Sequence, residues 1–125
     1  MRWAGQTAVI RLPGEIDLTI SDATREALLE VLNQRPATLI VDMSQTTFCD
    51  SAGISALVRA ARRASASTIE LRLVAIAAPV LRVFSLVGID RLIGVYPSVA
   101  DALSGQATAM ENRTITPLEP DSTQT

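Results

Sequence analysis

The reactive side chains of this chain crowd into one short stretch. Cys49, Asp50 and Ser51 stand in a row between an apolar run, Thr38–Val41, and an amphipathic one that begins at Ser51. Asp50 suits a helix N-cap, because its carboxylate can accept from the free N–H groups of Ala52 or Gly53. Ser51 then falls in the first turn. On a 100° wheel it lies roughly 70° from the centre of the stripe Ile54, Leu57, Val58 and Ala61. That is the margin of the buried face, where its hydroxyl reaches solvent. Ser55, four residues on, shares the strip, and Gly53 lets another surface approach the turn closely. The chemistry to weigh at an exposed hydroxyl of this kind is phosphorylation. A phosphate on Ser51 adds about −1.5 to −2 charge at pH 7. The helix N-terminus partly accommodates it and Asp50 repels it. A protein docked on this helix start would meet a new dianion. An Asp-Ser pair at a helix start is also a common structural cap, and the local residues leave that reading open.

The residue inventory excludes most other chemistry. The chain of 125 residues has no histidine, and its 11 basic residues are all arginine. An imidazole general base, a Ser-His-Asp triad, a Schiff base and a P-loop lysine are therefore absent. The single cysteine, Cys49, forms no internal disulfide and no cysteine-rich zinc site. It reads as a small buried hydrophobe rather than a redox sensor. Asp17, Asp42 and Asp50 follow strand-like runs, where the ligands of a Mg²⁺-dependent hydrolase would fall. Nothing orients a nucleophile for such an enzyme, and no glycine-rich phosphate loop is present. No metal or cofactor is expected.

Charge and hydropathy narrow the partners. A formal net charge of −2 gives no electrostatic footprint for direct nucleic-acid or anionic-membrane binding. Mean hydropathy is +0.29, yet the longest apolar candidate, Leu71–Leu86, is interrupted by Arg72, Pro79, Arg82 and Ser85. A membrane span needs about 20 mostly apolar residues. The first residues hold no signal-peptide core. A cytoplasmic protein is expected.

The elements that must hold the reactive stretch can be read from periodicity. Thr7–Leu12 alternates as a strand, Pro13-Gly14 signals a turn, and Glu15–Leu18 reads as the second arm of a hairpin. Ser21 or Asp22 then caps a helix running to about Asn33. Thr38–Val41 reads as a strand covered on both faces. Asp42–Asp50 reads as a polar loop anchored by Phe48. A helix follows from Ser51, then a strand at Glu70–Ala75. Pro79 opens a further helix, which Gly88 stops. A strand at Ile93–Tyr96 and a helix at Val99–Leu103 complete the order. The pattern predicts an α/β domain over residues 1–105, with a mixed, mostly parallel sheet of four to five strands and about four helices. Residues 106–125 are rich in threonine and aperiodic, and read as a disordered tail.

Three segments resemble a known family. Asp42–Val58 (DMSQTTFCDSAGISALV) is similar to the signature of the STAS domain, and specifically of bacterial anti-sigma factor antagonists. Gly14-Glu15-Ile16-Asp17 resembles the family's early motif. Gly88-Ile89-Asp90-Arg91-Leu92 with Val95-Tyr96 resembles its late one. Ala52 stands where many relatives carry a second serine, Cys49 where they carry an aliphatic residue, and Leu92-Ile93 where an aromatic is usual. The resemblance implies a switch. An anti-sigma factor that is also a serine kinase binds the unphosphorylated antagonist and releases sigma factor. The kinase phosphorylates the serine matching Ser51, which ends binding, and a PP2C-like phosphatase reverses it. The docking surface implied comprises Asp17, Asp42, Asp50, Ser51, Ala52, Gly53 and Ser55. A STAS scaffold subunit of a larger signalling complex, or of a lipid transporter, is the alternative.

Overall fold

The alternating run Thr7–Arg11 forms a strand, but not the first arm of a hairpin. The computed structural model describes residues 1–105; the tail expected at 106–125 lies outside the described residues. Strand β1 (Arg2–Ala4) runs antiparallel to β2 (Thr7–Arg11), with Trp3 opposite Ala8. On its other side β2 pairs in parallel with β4 (Thr38–Met43). β6 (Glu70–Ala75) and β7 (Gly94–Tyr96) continue the sheet, giving the order β1-β2-β4-β6-β7. The predicted mixed, mostly parallel sheet is thus present, with four helices among the described residues.

The expected hairpin is replaced by a different pairing. β3 (Glu15–Ile16) leaves the sheet and pairs in parallel with β5 (Phe48–Cys49), forming a separate two-stranded ribbon. Leu12 still donates its N–H to the Asp42 carbonyl at 2.9 Å. Pro13 has no N–H to continue that ladder, and the chain turns away. Helix α1 (Leu18–Asn33) starts earlier than Ser21 or Asp22, because Asp17 is its cap and Ser21 lies buried within the first turns. Phe48 does not anchor a loop. In β5 it points outward, 49% exposed, while Cys49 points inward.

Period-two alternation along β4 builds the core on both faces of the sheet. Leu39, Val41 and Met43 face α1, α2 (Ser51–Ala66) and α3 (Ala78–Val87), and meet Leu28, Leu57 and Phe84. Ile40 faces the other way, towards Val9, Val74, Tyr96 and Ala102 of helix α4 (Val99–Ser104). Each fully buried aliphatic side chain of this kind contributes about 1.5–3 kcal/mol relative to exposure. Gly88 ends α3 at φ 81°, a left-handed conformation that glycine adopts without Cβ strain. The following turn, Ile89–Arg91, plugs Ile89 into the core.

Candidate functional site

The β3–β5 ribbon builds the site. Ile16 pairs with Cys49, so the next residues, Asp17 and Asp50, leave the ribbon side by side. The Asp50 N–H donates to the Ile16 carbonyl at 3.0 Å, extending the pairing by one step. Each aspartate then caps a helix. Asp17 accepts from the Thr19 N–H at 3.0 Å and starts α1. Asp50 accepts from the Gly53 N–H at 3.1 Å and starts α2. Two helix N-termini and two capping carboxylates therefore emerge on one surface. The Thr19 hydroxyl, the leading influence, and backbone N–H donors hold the Asp17 carboxyl below its ordinary pKa.

Ser51 is the first residue of α2 and is exposed. It directly follows the capping Asp50, at the positive end of the helix dipole. Ser55 is exposed one turn further along the same face. Ala52 and Ser55 line a shallow groove of about 270 Å³ between the starts of α1 and α2, together with Leu18, Arg25 and Arg59. Leu18, 75% exposed, is the apolar element of this surface that periodicity did not reveal. Its signal was the Asp17-Leu18 junction, where a capping aspartate precedes a residue too early in the helix to be covered.

Gly53 acts differently from its expected role. It is buried, and the surface that approaches it belongs to the same chain. A Cβ at Gly53 would lie 2.7 Å from Cys49 Sγ, 2.8 Å from Ile16 Cγ2 and 3.1 Å from the Ile16 carbonyl oxygen. Glycine thus lets α2 press its first turn onto the ribbon, which fixes where Ser51 projects. Cys49 is the other half of that contact. Burial, with a smaller contribution from the Asp50 charge, pushes its thiol pKa up to about 11. The neutral thiol is an inert packing group near neutral pH.

Asp42 is not brought to this surface. It is 2% exposed and follows Ile40 in the alternation, on the sheet face opposite α2. One carboxylate oxygen accepts from the Ser44 N–H at 2.9 Å, and the other faces Arg11 Nε at 3.6 Å. Asp42 therefore fixes the turn that leaves β4 rather than presenting charge beside Ser51. It is also separated from Asp17 and Asp50, which the hydrolase reading requires together. Among the described residues no group of three or more histidine, cysteine or carboxylate side chains is placed to hold a metal ion. No helix among them is long and apolar enough to cross a membrane.

A five-stranded sheet, a helix-bearing face and a capped serine at the start of α2 define a class. Residues 2–102 match the STAS domain model, and the chain belongs to this family. Within it, the chain is 32% identical over 98 residues to the anti-sigma-F factor antagonist RsfB of Mycobacterium tuberculosis, covering 78% of this chain and 80% of that protein. The crystal structure of an anti-sigma factor antagonist from Mycobacterium paratuberculosis superposes with a TM-score of 0.77 at 27% identity, covering 83% of this chain and 88% of that one. The Bacillus cell fate determinant SpoIIAA in its phosphorylated form shares the fold, with a TM-score of 0.66 at 22% identity over 84% of this chain and 95% of that one.

Proposed function

We propose that this protein is an anti-sigma factor antagonist, a binding module switched by phosphorylation of Ser51. The observation that carries the reading is the exposed Ser51 hydroxyl at the start of α2, flanked by the capping carboxylates Asp50 and Asp17. The 32% identity to a protein named as an anti-sigma-F factor antagonist supports the same reading. In the unphosphorylated form the surface of Asp17, Asp50, Ser51, Ala52 and Ser55 engages an anti-sigma factor that is also a serine kinase, and sigma factor is released. Gly53 supports that surface from within, and Asp42 holds the turn after β4 on the other face of the sheet. The kinase transfers a phosphoryl group from ATP to the Ser51 oxygen. The product dianion lies beside two carboxylates, and a partner seated against the helix start is repelled. A PP2C-like phosphatase restores the free hydroxyl. The switch needs no base, metal or cofactor of its own, because its partners bring the catalysis. The partners and this protein meet in the cytoplasm, where sigma factors act.

The test is intact-mass measurement after incubation with ATP and a candidate kinase. A gain of one phosphate that vanishes in Ser51→Ala is expected. Phosphate mapping to Ser55 or to the threonines after residue 105 would overturn the assignment.

A further inference from the structure

Two large apolar side chains stand uncovered near Ser51, one on the neighbouring helix and one on the preceding strand. Leu18 is 75% exposed and Phe48 is 49% exposed. The β3–β5 pairing places both. Ile16 and Cys49 are matched and turned into the core, so Glu15 and Phe48, matched one step earlier, turn outward. One step past each capping aspartate, Leu18 opens α1 as Ser51 opens α2. Leu18 lines the same groove as Ala52 and Ser55. Phe48 precedes Ser51 by three residues, a separation of at most about 10 Å. The fold accounts for neither residue type. Leu18 stands outside the buried core, at a helix position that a polar residue fills equally well. Phe48 supplies strand preference to β5, which threonine supplies without an exposed ring. A single exposed apolar residue is ordinary on a protein surface. Two of them beside the capping carboxylates and the hydroxyl they flank form a polar centre with apolar neighbours.

We infer that Leu18 and Phe48 are the apolar anchors of the partner protein that docks here, whose surface offers two apolar sockets around a polar centre. This rests on the reading of Ser51 as a switch on a docking surface. The charges select that occupant. A nucleic acid or an anionic lipid surface would meet Asp17 and Asp50 unfavourably. A second copy of the chain, seated here across a two-fold axis, would set the same two carboxylates against each other. A different protein can match a polar or basic centre to them and bury both anchors. The two kinds of contact then divide the work. Asp17, Asp50 and Ser51 set register and approach, through interactions that salt screens. Leu18 and Phe48 supply affinity by leaving water, which salt does not screen. A phosphate on Ser51 alters the first set and leaves the second in place.

The test is calorimetric titration of the candidate kinase with the unphosphorylated full chain. Leu18→Ala and Phe48→Thr should each weaken binding roughly tenfold. Their thermal midpoints should stay near native, because both side chains are exposed and threonine keeps the strand preference of β5. Leu92→Ala, which truncates an equally exposed leucine beyond the end of α3, should leave affinity unchanged. The loss from Leu18→Ala should be the same at about 0.05 M and about 0.5 M NaCl, whereas the loss from Ser51→Asp should shrink as salt rises. Native affinity in both anchor variants, with Ser51→Asp still weakened, would overturn the anchors and leave the switch standing. A kinase that does not bind the native chain, or is indifferent to Ser51→Asp and to both anchor variants, would overturn the underlying reading and the anchors with it. A thermal midpoint lowered by Leu18→Ala would assign that side chain to a contact within this chain. Self-association of the native chain that either variant abolishes would assign the patch to a second copy. Either result would also overturn the inference.

Discussion

Gly53→Ala tests whether the first turn of α2 is held where it is by a close approach that only glycine permits. Two opposing effects decide the outcome. Alanine in a helix is favoured over glycine by about 0.8–1 kcal/mol. Against that, the new methyl would sit 2.7 Å from Cys49 Sγ and 2.8 Å from Ile16 Cγ2, with the Ile16 carbonyl oxygen at 3.1 Å. Overpacking of this kind costs about 1–3 kcal/mol. The upper half of that range applies, since Ile16 is fully buried and one contact is backbone. The net expectation is a loss of about 1–2 kcal/mol, or about 4–10 °C in thermal midpoint for a domain of this size.

Circular dichroism melts and urea titrations measure this directly. A second variant separates crowding from any general intolerance. Cys49→Ala removes the 2.7 Å contact, so Gly53→Ala should cost less in that background than in the native one. An unchanged or raised midpoint for Gly53→Ala alone would refute the reasoning. It would mean that the turn has room, and that α2 is not pressed onto the β3–β5 ribbon.

Ser51→Asp places a charge at the start of α2 and should weaken binding to the partner kinase roughly tenfold or more by calorimetry; unchanged affinity would show that this helix start is not the docking surface. Asp50→Ala removes the acceptor for the Gly53 N–H and should cost about 1 kcal/mol in urea unfolding. Asp50→Asn keeps a capping oxygen, so it should retain stability while altering kinase affinity, dividing the capping role from the charge role. Cys49 should react slowly with iodoacetamide in the native protein at pH 8 and rapidly once unfolded, because its native pKa is raised to about 11. Its unfolded thiol ionises near 9.0, so between these values the native state binds more protons than the unfolded one. Stability should therefore fall as pH rises from about 9 to 11, and Cys49→Ala should lose that component of the fall.

What the sequence reveals and what it hides divide along a physical line. Glu70–Ala75 and the strand–helix unit around Thr38–Ala66 were legible because their signals are local. A short apolar run, a cap and a helical stripe each need only their own neighbours. Gly88 likewise announced the end of α3. The capped serine was legible for the same reason, since Asp50, Ser51 and Gly53 lie within one helical turn. The β3–β5 ribbon was not. Glu15–Ile16 and Phe48–Cys49 are two-residue strands, too short for any period, and their pairing spans 33 residues. Without that pairing the run Glu15–Leu18 reads as one strand, which hides the Asp17 cap and places the start of α1 at Ser21. The missing pairing also turns Phe48 inward and assigns the close approach at Gly53 to another surface rather than to Ile16 and Cys49.

The ribbon matters more than its length suggests, because it converts two separate capping motifs into one surface. Asp17 and Asp50 are each ordinary caps in sequence. Pairing Ile16 with Cys49 sets them next to each other, and packing Gly53 against the same two residues sets the angle at which Ser51 leaves. Asp42 shows the converse. It precedes Ser51 closely in sequence, yet the alternation of β4 sends it to the other face. On the proposed switch, a phosphate on Ser51 would therefore act on two carboxylates rather than three. Its effect on a docked partner should depend on Asp17, 34 residues away in the chain, more than on Asp42, nine residues away. Among the three aspartates, only substitutions at Asp17 and Asp50 should change kinase affinity without first changing the fold.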